Sequence, residues 1–525
     1  LKPLNHEWGD TMEINRRIGI IDIGSNSIRL VVYEINSLHA YRVIGEFKQS
    51  ARLSQKIGAD NTLPGDEIDR IVRMLRHFRE ICDANGVSEI RAAATAAIRN
   101  AANSRQIMTA LREQSGIDVR LLSGEDEARI GFLGMIHSLD VEDGWLVDIG
   151  GGSTEISLFL GRRLVSSVSF PFGAVNTTRN YAPDGHFSED TLAKIRLMVR
   201  QAAIGEPWIR EHPGLPLIGL GGTIRNLGKI NQKKLKYSLP QTHNYPMSAQ
   251  EMEELMHWLP SLPAEKRKKV DGLSKDRHDI IVPGLTILHT LFQLTGSSHY
   301  IVSGAGLRDG LFHEAYLADR PAAGSMAELS ARNMLGLHPC APAAHLELVA
   351  ANAAKLFDAL QEIHGYDSRI RGCLHTAALL YRIGVSVNYY QFAKHSFYII
   401  AHSRLDGLSH RELLLCAAAA SYKTKNRVHP IYLQYKGILL ETDVELIVRL
   451  GTLLQLAAAL DCSETQELAM IEARVNENTE LQLLVHSKKD PSAEYREISS
   501  LAKDFKKVWG LKLTLQDEAS SFSTI

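Results

Sequence analysis

Two short segments of this 525-residue chain carry the same chemistry-bearing pattern: Asp22-Ile-Gly-Ser-Asn-Ser27 and Asp148-Ile-Gly-Gly-Gly-Ser153. They align without a gap, 126 positions apart, each after an apolar run and before a second strand-like segment. A strand–turn–strand unit with small turn residues lets backbone N–H groups face an anion, and an Asp at the strand end can hold a metal or a water. One copy would read as an ordinary hairpin with a glycine turn. Two copies sharing Asp, Ile, Gly and Ser point to paired phosphate loops, with Gly24, Ser25, Asn26 and Ser27 on one and Gly150, Gly151, Gly152 and Ser153 on the other. A third loop, Gly219-Leu-Gly-Gly-Thr223, follows the apolar Leu215–Ile218 and precedes a helix expected near Ile224. A helix N-terminus after such a loop is an anion site, which adds Gly222 and Thr223 to the phosphate-binding candidates.

Phosphoryl transfer needs positioning and electrostatics more than covalent chemistry, so the remaining question is which group activates the nucleophile. Ser123-Gly-Glu-Asp-Glu-Ala-Arg129 places three carboxylates where a strand ends and a helix begins. Simple N-terminal capping is one reading of them, since acids in a first turn favour the helix dipole. Glu155 stands on the second strand of the repeat, where it is either solvated or a ligand for Mg²⁺. Arg99, after Ala94-Thr-Ala-Ala-Ile98, is either a bidentate phosphate contact or a surface cation.

These residues need elements to hold them. The first half alternates strand-like runs (Ile18–Asp22, Ser27–Ile35, Ile90–Thr95, Asp118–Leu122) with helix-spaced segments at Asp66–Cys82 and Ser104–Gln114, an α/β pattern. Past Ser325 alanine and leucine dominate at 3.6-residue spacing, from Ala343 to Ile363, His375 to Tyr381, Arg411 to Tyr422 and Glu441 to Leu460. A strand, a helix and a strand are expected at Leu481–His486, Ala493–Trp509 and Leu511–Gln516. The domain divisions that follow are 16–138, 139–320, 325–475 and 476–525, with Arg320-Pro-Ala-Ala-Gly-Ser325 as a linker. Lysine plus arginine (59) balances aspartate plus glutamate (60), so any polyanion site must be a local patch. Candidates are Lys233–Lys236, Lys266–Lys269 with Lys275 and Arg277, and Lys423–Arg427, and none has the aromatic interleaving of a nucleic-acid surface. Five scattered cysteines without a CxxC pair fit a reducing cytosol, and no apolar run reaches membrane-spanning length. The first fifteen residues show no apolar signal core. A cytoplasmic protein without a membrane or nucleic-acid partner is expected.

Taken together, Asp22–Ser27, Ser123–Arg129, Asp148–Glu155, Gly221-Gly-Thr223, Phe172-Gly-Ala174, Gly272–Arg277 and Ser303–Arg308 resemble the exopolyphosphatase / guanosine pentaphosphate phosphohydrolase (Ppx/GppA) family. The resemblance runs from about Ile18 to Glu314 in order and spacing. It implies two duplicated ribonuclease-H-like lobes of the actin/sugar-kinase type, followed by an all-helical HD-like domain. It also implies Mg²⁺-dependent hydrolysis of a terminal phosphoanhydride, with Glu127 as the catalytic base and Glu155 beside it. Asp22, Asp148 and Glu155 would be the metal ligands, and Arg99 would match a phosphate-contacting arginine. The implied substrate is inorganic polyphosphate, with guanosine pentaphosphate as the alternative. A small-molecule kinase of the same fold or a nucleotide-gated binding protein are more distant readings. In the helical domain Tyr381-Arg382 stand where a metal-binding His-Asp pair would be expected, with His375 and Lys394-His-Ser396 nearby, so a retired metal site is expected there. Its apolar helices would allow a homodimer.

Overall fold

The computed structural model describes residues 15–58, 60–317 and 325–518. The proposed linker lies outside these apart from Ser325.

The first lobe is a five-stranded sheet. Its strands are β1 (Arg16–Ile23), β2 (Ser27–Ile35), β3 (Tyr41–Ser50), β4 (Glu89–Ala94) and β5 (Val119–Leu121), in the order β3-β2-β1-β4-β5. β1 runs antiparallel to β2 and parallel to β4. Ile18, Ile20, Ile21 and Ile23 of β1 are all buried, because helices cover both faces of this sheet. Ile21 and Ile23 join the core under helix Gly65–Ala84; Ile18 and Ile20 join the one under helix Leu307–Tyr316.

The second lobe repeats the plan. Its strands are β6 (Gly144–Ile149), β7 (Thr154–Leu160), β8 (Arg163–Phe170), β9 (Leu217–Leu220), β10 (Tyr245–Ser248) and β11 (His299–Val302), in the order β10-β11-β9-β6-β7-β8. Read outward from the hairpin, β8-β7-β6-β9-β11 has the order and directions of β3-β2-β1-β4-β5, and β10 is an added antiparallel edge. The repeat seen in the sequence is thus a duplicated sheet. Register pairs Asp22 with Arg29 across β1–β2 and Asp148 with Glu155 across β6–β7.

Helices Ala343–Ala359, Ser368–Leu380, His410–Ala420 and Asp443–Ala459 build the third unit around a single apolar core. The C-terminal sheet, β12 (Leu468–Asn476), β13 (Glu480–Ser487) and β14 (Lys512–Asp517), shares that core through Leu468, Leu483, Leu513 and, from helix Ser492–Trp509, Phe505. β12 begins ahead of the division expected at 476. It escapes a periodicity reading because Leu-Ala-Met-Ile-Glu-Ala-Arg is made of good helix formers, and a bulge between Met470 and Glu472 breaks its alternation. All five cysteines are unpaired, and no described helix is long and apolar enough to cross a membrane.

Candidate active site

The two hairpin turns close with the same bond: Gly24 N–H donates to Ser27 O (3.1 Å) and Gly150 N–H to Ser153 O (3.0 Å). Their carbonyls are then held from behind. Asn26 O accepts from Ala51 and Arg52 N–H, while Gly150 O and Gly151 O accept from Ala174 and Val175 at the start of helix Ala174–Tyr181. Asn176 Nδ2 takes Gly152 O at 3.2 Å. With their carbonyls engaged, Ser25, Asn26 and Gly151 line a cleft of about 130 Å³, and their N–H groups make no hydrogen bond among the described residues. The turns meet across the lobes, since a Cβ on Gly151 would sit 2.8 Å from Ser25 Cβ. Amide donors free of partners at the wall of a cleft are what a preorganised anion nest requires.

The third loop is shorter than expected. Its helix starts at Gly221, so Gly221 and Gly222 form the first turn. Gly221 has φ +77°, and a Cβ there would lie 2.5 Å from Asp148 Oδ1. A Cβ on Gly222 would lie 2.1 Å from the Arg277 guanidinium, so this glycine is the space in which Arg277 sits. Thr223 does not line the cleft. It is buried inside the lobe against Gly284 of helix Ile281–Thr295.

Ser123 caps helix Gly124–Ile136, its Oγ accepting from Asp126 N–H at 3.0 Å, while Asp126 pairs with Arg120. The capping reading therefore holds for Asp126, and Glu127 turns inward. Gly124 allows this. A Cβ there would meet Ser169 Cβ at 2.5 Å, so glycine lets the helix start abut β8. Ser169 Oγ donates to Glu155 Oε1 at 2.7 Å, and Glu155 Oε2 is buried with no partner among the described residues. Glu127, Asp148 and Glu155 line one small cavity next to the cleft. Arg99 Nη1 donates to Glu127 Oε2 (2.9 Å) and to Leu122 O (3.0 Å). Arg99 thus grips the acid, and it is not among the residues lining the cleft.

Four arginines complete the cleft: Arg29, Arg225, Arg277 and Arg308. Only Arg277 was singled out from sequence, as part of a basic patch; none was assigned to the cleft. Arg277 and Arg308 close two of the motifs that carry the resemblance, and Arg29 is the repeat equivalent of Glu155, so a signal existed for three of them. Arg225, on helix Gly221–Lys234, had none. Arg29 and Arg308 share Glu46, at 3.2 and 2.8 Å. Arg225 donates Nε to Gly221 O and forms no ion pair among the described residues. Burial, with the charges of Arg308, Arg29 and Arg277, pulls its guanidinium down to about 10. A buried cation crowded by other cations, with Asp309 the opposing charge, is a candidate anion site.

The carboxylates are pushed the other way. Burial raises Asp22 against the pull of Arg308, Arg29 and Arg225. Asp148 is raised to about 6 by burial, with Arg225 opposing and Asp22 reinforcing. Glu127 is raised to about 7 by burial, with Arg99 holding it down and Asp148 and Asp22 pushing it up. Glu155 is raised by burial and by Glu127 and Asp148. No three His, Cys, Asp or Glu side chains among the described residues form a ready-made metal cage. Mg²⁺ does not require one, because it commonly takes one or two carboxylates and completes its shell with water and substrate phosphate. Mutually repelling carboxylates and the orphaned Glu155 Oε2 fit such a cation.

A carboxyl group near 7 is poised to act as a base at neutral pH, and it must be ionised to do so. Activity is therefore expected to fall as pH drops through about 7. Arg99 lowers the Glu127 pKa, so Arg99→Gln is expected to move this acid limb to higher pH. Substrate ionisation is common to both proteins, so the difference between their pH profiles of kcat/KM reports Glu127 alone.

Comparison with known proteins places this geometry. Residues 31–318 match the model of the Ppx/GppA phosphatase family, and residues 341–496 match its domain III. The chain belongs to the Ppx/GppA phosphatase family. Membership makes it a hydrolase and accounts for the actin-like pair of lobes with a helical unit behind them. The Ppx/GppA family member from Aquifex aeolicus is 25% identical with a TM-score of 0.51, covering 59% of this chain and 100% of its own. An exopolyphosphatase from Cytophaga hutchinsonii has 22% identity and a TM-score of 0.53, over 58% of this chain and 98% of its own; at that identity the likeness speaks for the fold.

In the helical unit, Tyr381 OH bonds His345 Nε2 (2.6 Å), and His345 Nδ1 bonds Asp461 Oδ2 (2.8 Å). Arg382 pairs with Glu464 and lies over the rings of Tyr389 and Phe392. Of the nearby residues singled out from sequence, Ser396 Oγ donates to Tyr381 O, while His375 and His395 join no metal-ligand cluster among the described residues. His345 and Asp461 are each 1% exposed. His345→Ala would remove one of the hydrogen bonds to Asp461, which Gln466 also bonds, and the partner of Tyr381 OH; it is expected to cost about 1–3 kcal/mol, read as a lower denaturation midpoint of the helical unit.

Proposed function

We propose that the cleft hydrolyses the terminal phosphoanhydride of inorganic polyphosphate. In this mechanism Glu127, held by Arg99, orients a water and accepts its proton. The water oxygen bonds the terminal phosphorus in line as the bridging P–O bond breaks, giving orthophosphate and a chain one unit shorter. The N–H groups around Gly24–Ser27 and Gly150–Ser153 and the four arginines take the charge on the transferring oxygens. Asp148 and Glu155, with Asp22, would hold Mg²⁺, which supplies neutralisation of the anhydride oxygens when bound.

One observation favours a linear polyanion. A second cavity, about 480 Å³, shares Arg29, Gly222, Arg225, Arg277 and Gly304 with the cleft and continues toward the helical unit. Lys229 adds a positive charge with no ion pair among the described residues, Lys48 and Arg404 line it while paired with Asp276 and Asp406, and no carboxylate lines it. The lysine clusters expected from sequence to form such a track do not line it, apart from Arg277 at the end of one of them. Guanosine pentaphosphate is the second reading, favoured by His243, His410 and three leucines on the far wall, a surface suited to a nucleoside.

Phosphate release from long-chain polyphosphate and from guanosine pentaphosphate, each over a range of salt, tests both. A polyanion held by several cations releases counterions on binding, so kcat/KM on polyphosphate should fall steeply and log-linearly with salt. Release from the nucleotide alone would promote the second reading, and release from neither would overturn both.

A further inference from the structure

One stretch of the cleft wall, Gly304–Asp309, is held by groups that lean on the helical unit. Every residue of this stretch lines the cleft, and it joins β11 to helix Leu307–Tyr316, whose first turn carries Arg308. The stretch is packed without slack against the helix that bears Glu127. A Cβ on Gly134 would lie 2.3 Å from Gly306 O, and one on Gly310 would lie 1.9 Å from Ile130 O. Backbone therefore meets backbone along helix Gly124–Ile136, and a displaced segment presses on that helix.

Side chains fix two of its N–H groups. Gly304 N–H donates to His243 Nδ1 at 3.0 Å, and Gly306 N–H donates to Asp309 Oδ2 at 2.9 Å. Both acceptors depend on one carboxylate of the helical unit, Asp406, between helices Phe392–His402 and His410–Ala420. Gly304 N–H can only donate, so His243 carries its proton on Nε2, which lies 3.3 Å from Asp406 Oδ1 and 3.2 Å from Ser138 O. The Arg404 guanidinium makes the second link, with Nε 2.7 Å from Asp406 Oδ1 and Nη1 3.5 Å from Asp309 Oδ1. Asp406 is itself anchored, its N–H donating to Ser330 Oγ at 3.0 Å and the next N–H, of Gly407, to Ser138 O at 3.1 Å. Burial opposes its charge, but Arg404 and His243 hold the carboxyl below its ordinary range.

We propose that Asp406 is a positioning residue of the cleft: through His243 on one side and Arg404 on the other, it holds Gly304–Asp309 in register and so sets the reach of Arg308 to a bound anion. The helical unit then completes the site without touching the anion through Asp406. This inference rests on the cleft being the anion site proposed above.

Titration calorimetry with inorganic tripolyphosphate tests this on the full chain carrying Glu127→Gln, which preserves the anion. Asp406→Ala removes the acceptor for His243 and the partner of Arg404, and should weaken binding about tenfold. Asp406→Asn keeps an oxygen toward His243 Nε2 and should recover most of that loss. The deciding arm is Arg308→Met. With Arg308 gone there is no reach left to set, so adding Asp406→Ala should change affinity by less than about twofold. An equal loss in both backgrounds would show a merely structural role and overturn the proposal. Should Asp406→Ala fail to fold, Asp406→Ser, too short to reach His243 but able to hold a water, carries the same expectations. Full affinity in these variants would overturn the inference and leave the anion site standing. No tripolyphosphate binding by the starting protein would overturn the anion site, and the inference with it.

Discussion

Glu127→Gln is expected to lower kcat on polyphosphate by about 10²–10⁴-fold with little change in KM. The amide keeps the size of the side chain and an oxygen for Arg99, but it cannot take a proton from water. Burial already disfavours the charged form of Glu127, so the neutral replacement should unfold no earlier than the wild type. The acid limb near pH 7 should vanish from whatever activity remains. Steady-state kinetics across pH, with a thermal melt as control, checks all of this. A variant that keeps most of its kcat would remove Glu127 as the base and leave the cleft as a binding site.

Arg225→Met should separate function from stability in opposite directions. Loss of one preorganised charge donor typically costs about 10²–10³-fold in turnover. Yet the free protein should become more stable. The methionine removes a buried guanidinium that faces Arg29, Arg277 and Arg308 and has no ion pair among the described residues. A buried charge without a close partner carries a desolvation penalty, and the methionine removes it. Thermal melts with and without tripolyphosphate read the result: the apo midpoint rises, and the shift produced by the anion shrinks because ligand stabilisation follows affinity. A lower apo midpoint would show that Arg225 serves the fold rather than the anion.

Much of this was legible because it was local. The repeat Asp-Ile-Gly-x-x-Ser gave the two loops, and apolar runs gave the strands that carry them. The helix spacings of Asp66–Cys82 and Ala343–Ile363 match helices Gly65–Ala84 and Ala343–Ala359. What escaped depends on residues far apart in the chain. Arg225 and Arg277 meet Asp148 only when the lobe closes, and no spacing rule announces that. Arg99 reads equally as a phosphate ligand or a surface cation until Glu127 is seen accepting its hydrogen bond. Thr223 looked like part of a phosphate loop because the glycines beside it set an expectation that its own buried side chain does not meet. In the helical unit, the loss of the expected pair at Tyr381-Arg382 was readable. That His345 and Asp461 close around Tyr381 was not, since they lie 116 positions apart.

The register of the two hairpins carries one more meaning. Strand pairing sets Arg29 opposite Asp22 in one lobe and Glu155 opposite Asp148 in the other, at matching places in a duplicated sheet. Had both copies kept the same residue, the two strand pairs would present the same charge at this position. Divergence at this position adds to the differences that give the gap a front and a back. On one side Arg29 pulls against the burial that raises Asp22; on the other Glu155 is raised by burial and by its neighbours Glu127 and Asp148. The duplicated frame thus carries a cation at one of two equivalent positions and a carboxylate at the other, which lets a single architecture serve two opposite electrostatic tasks.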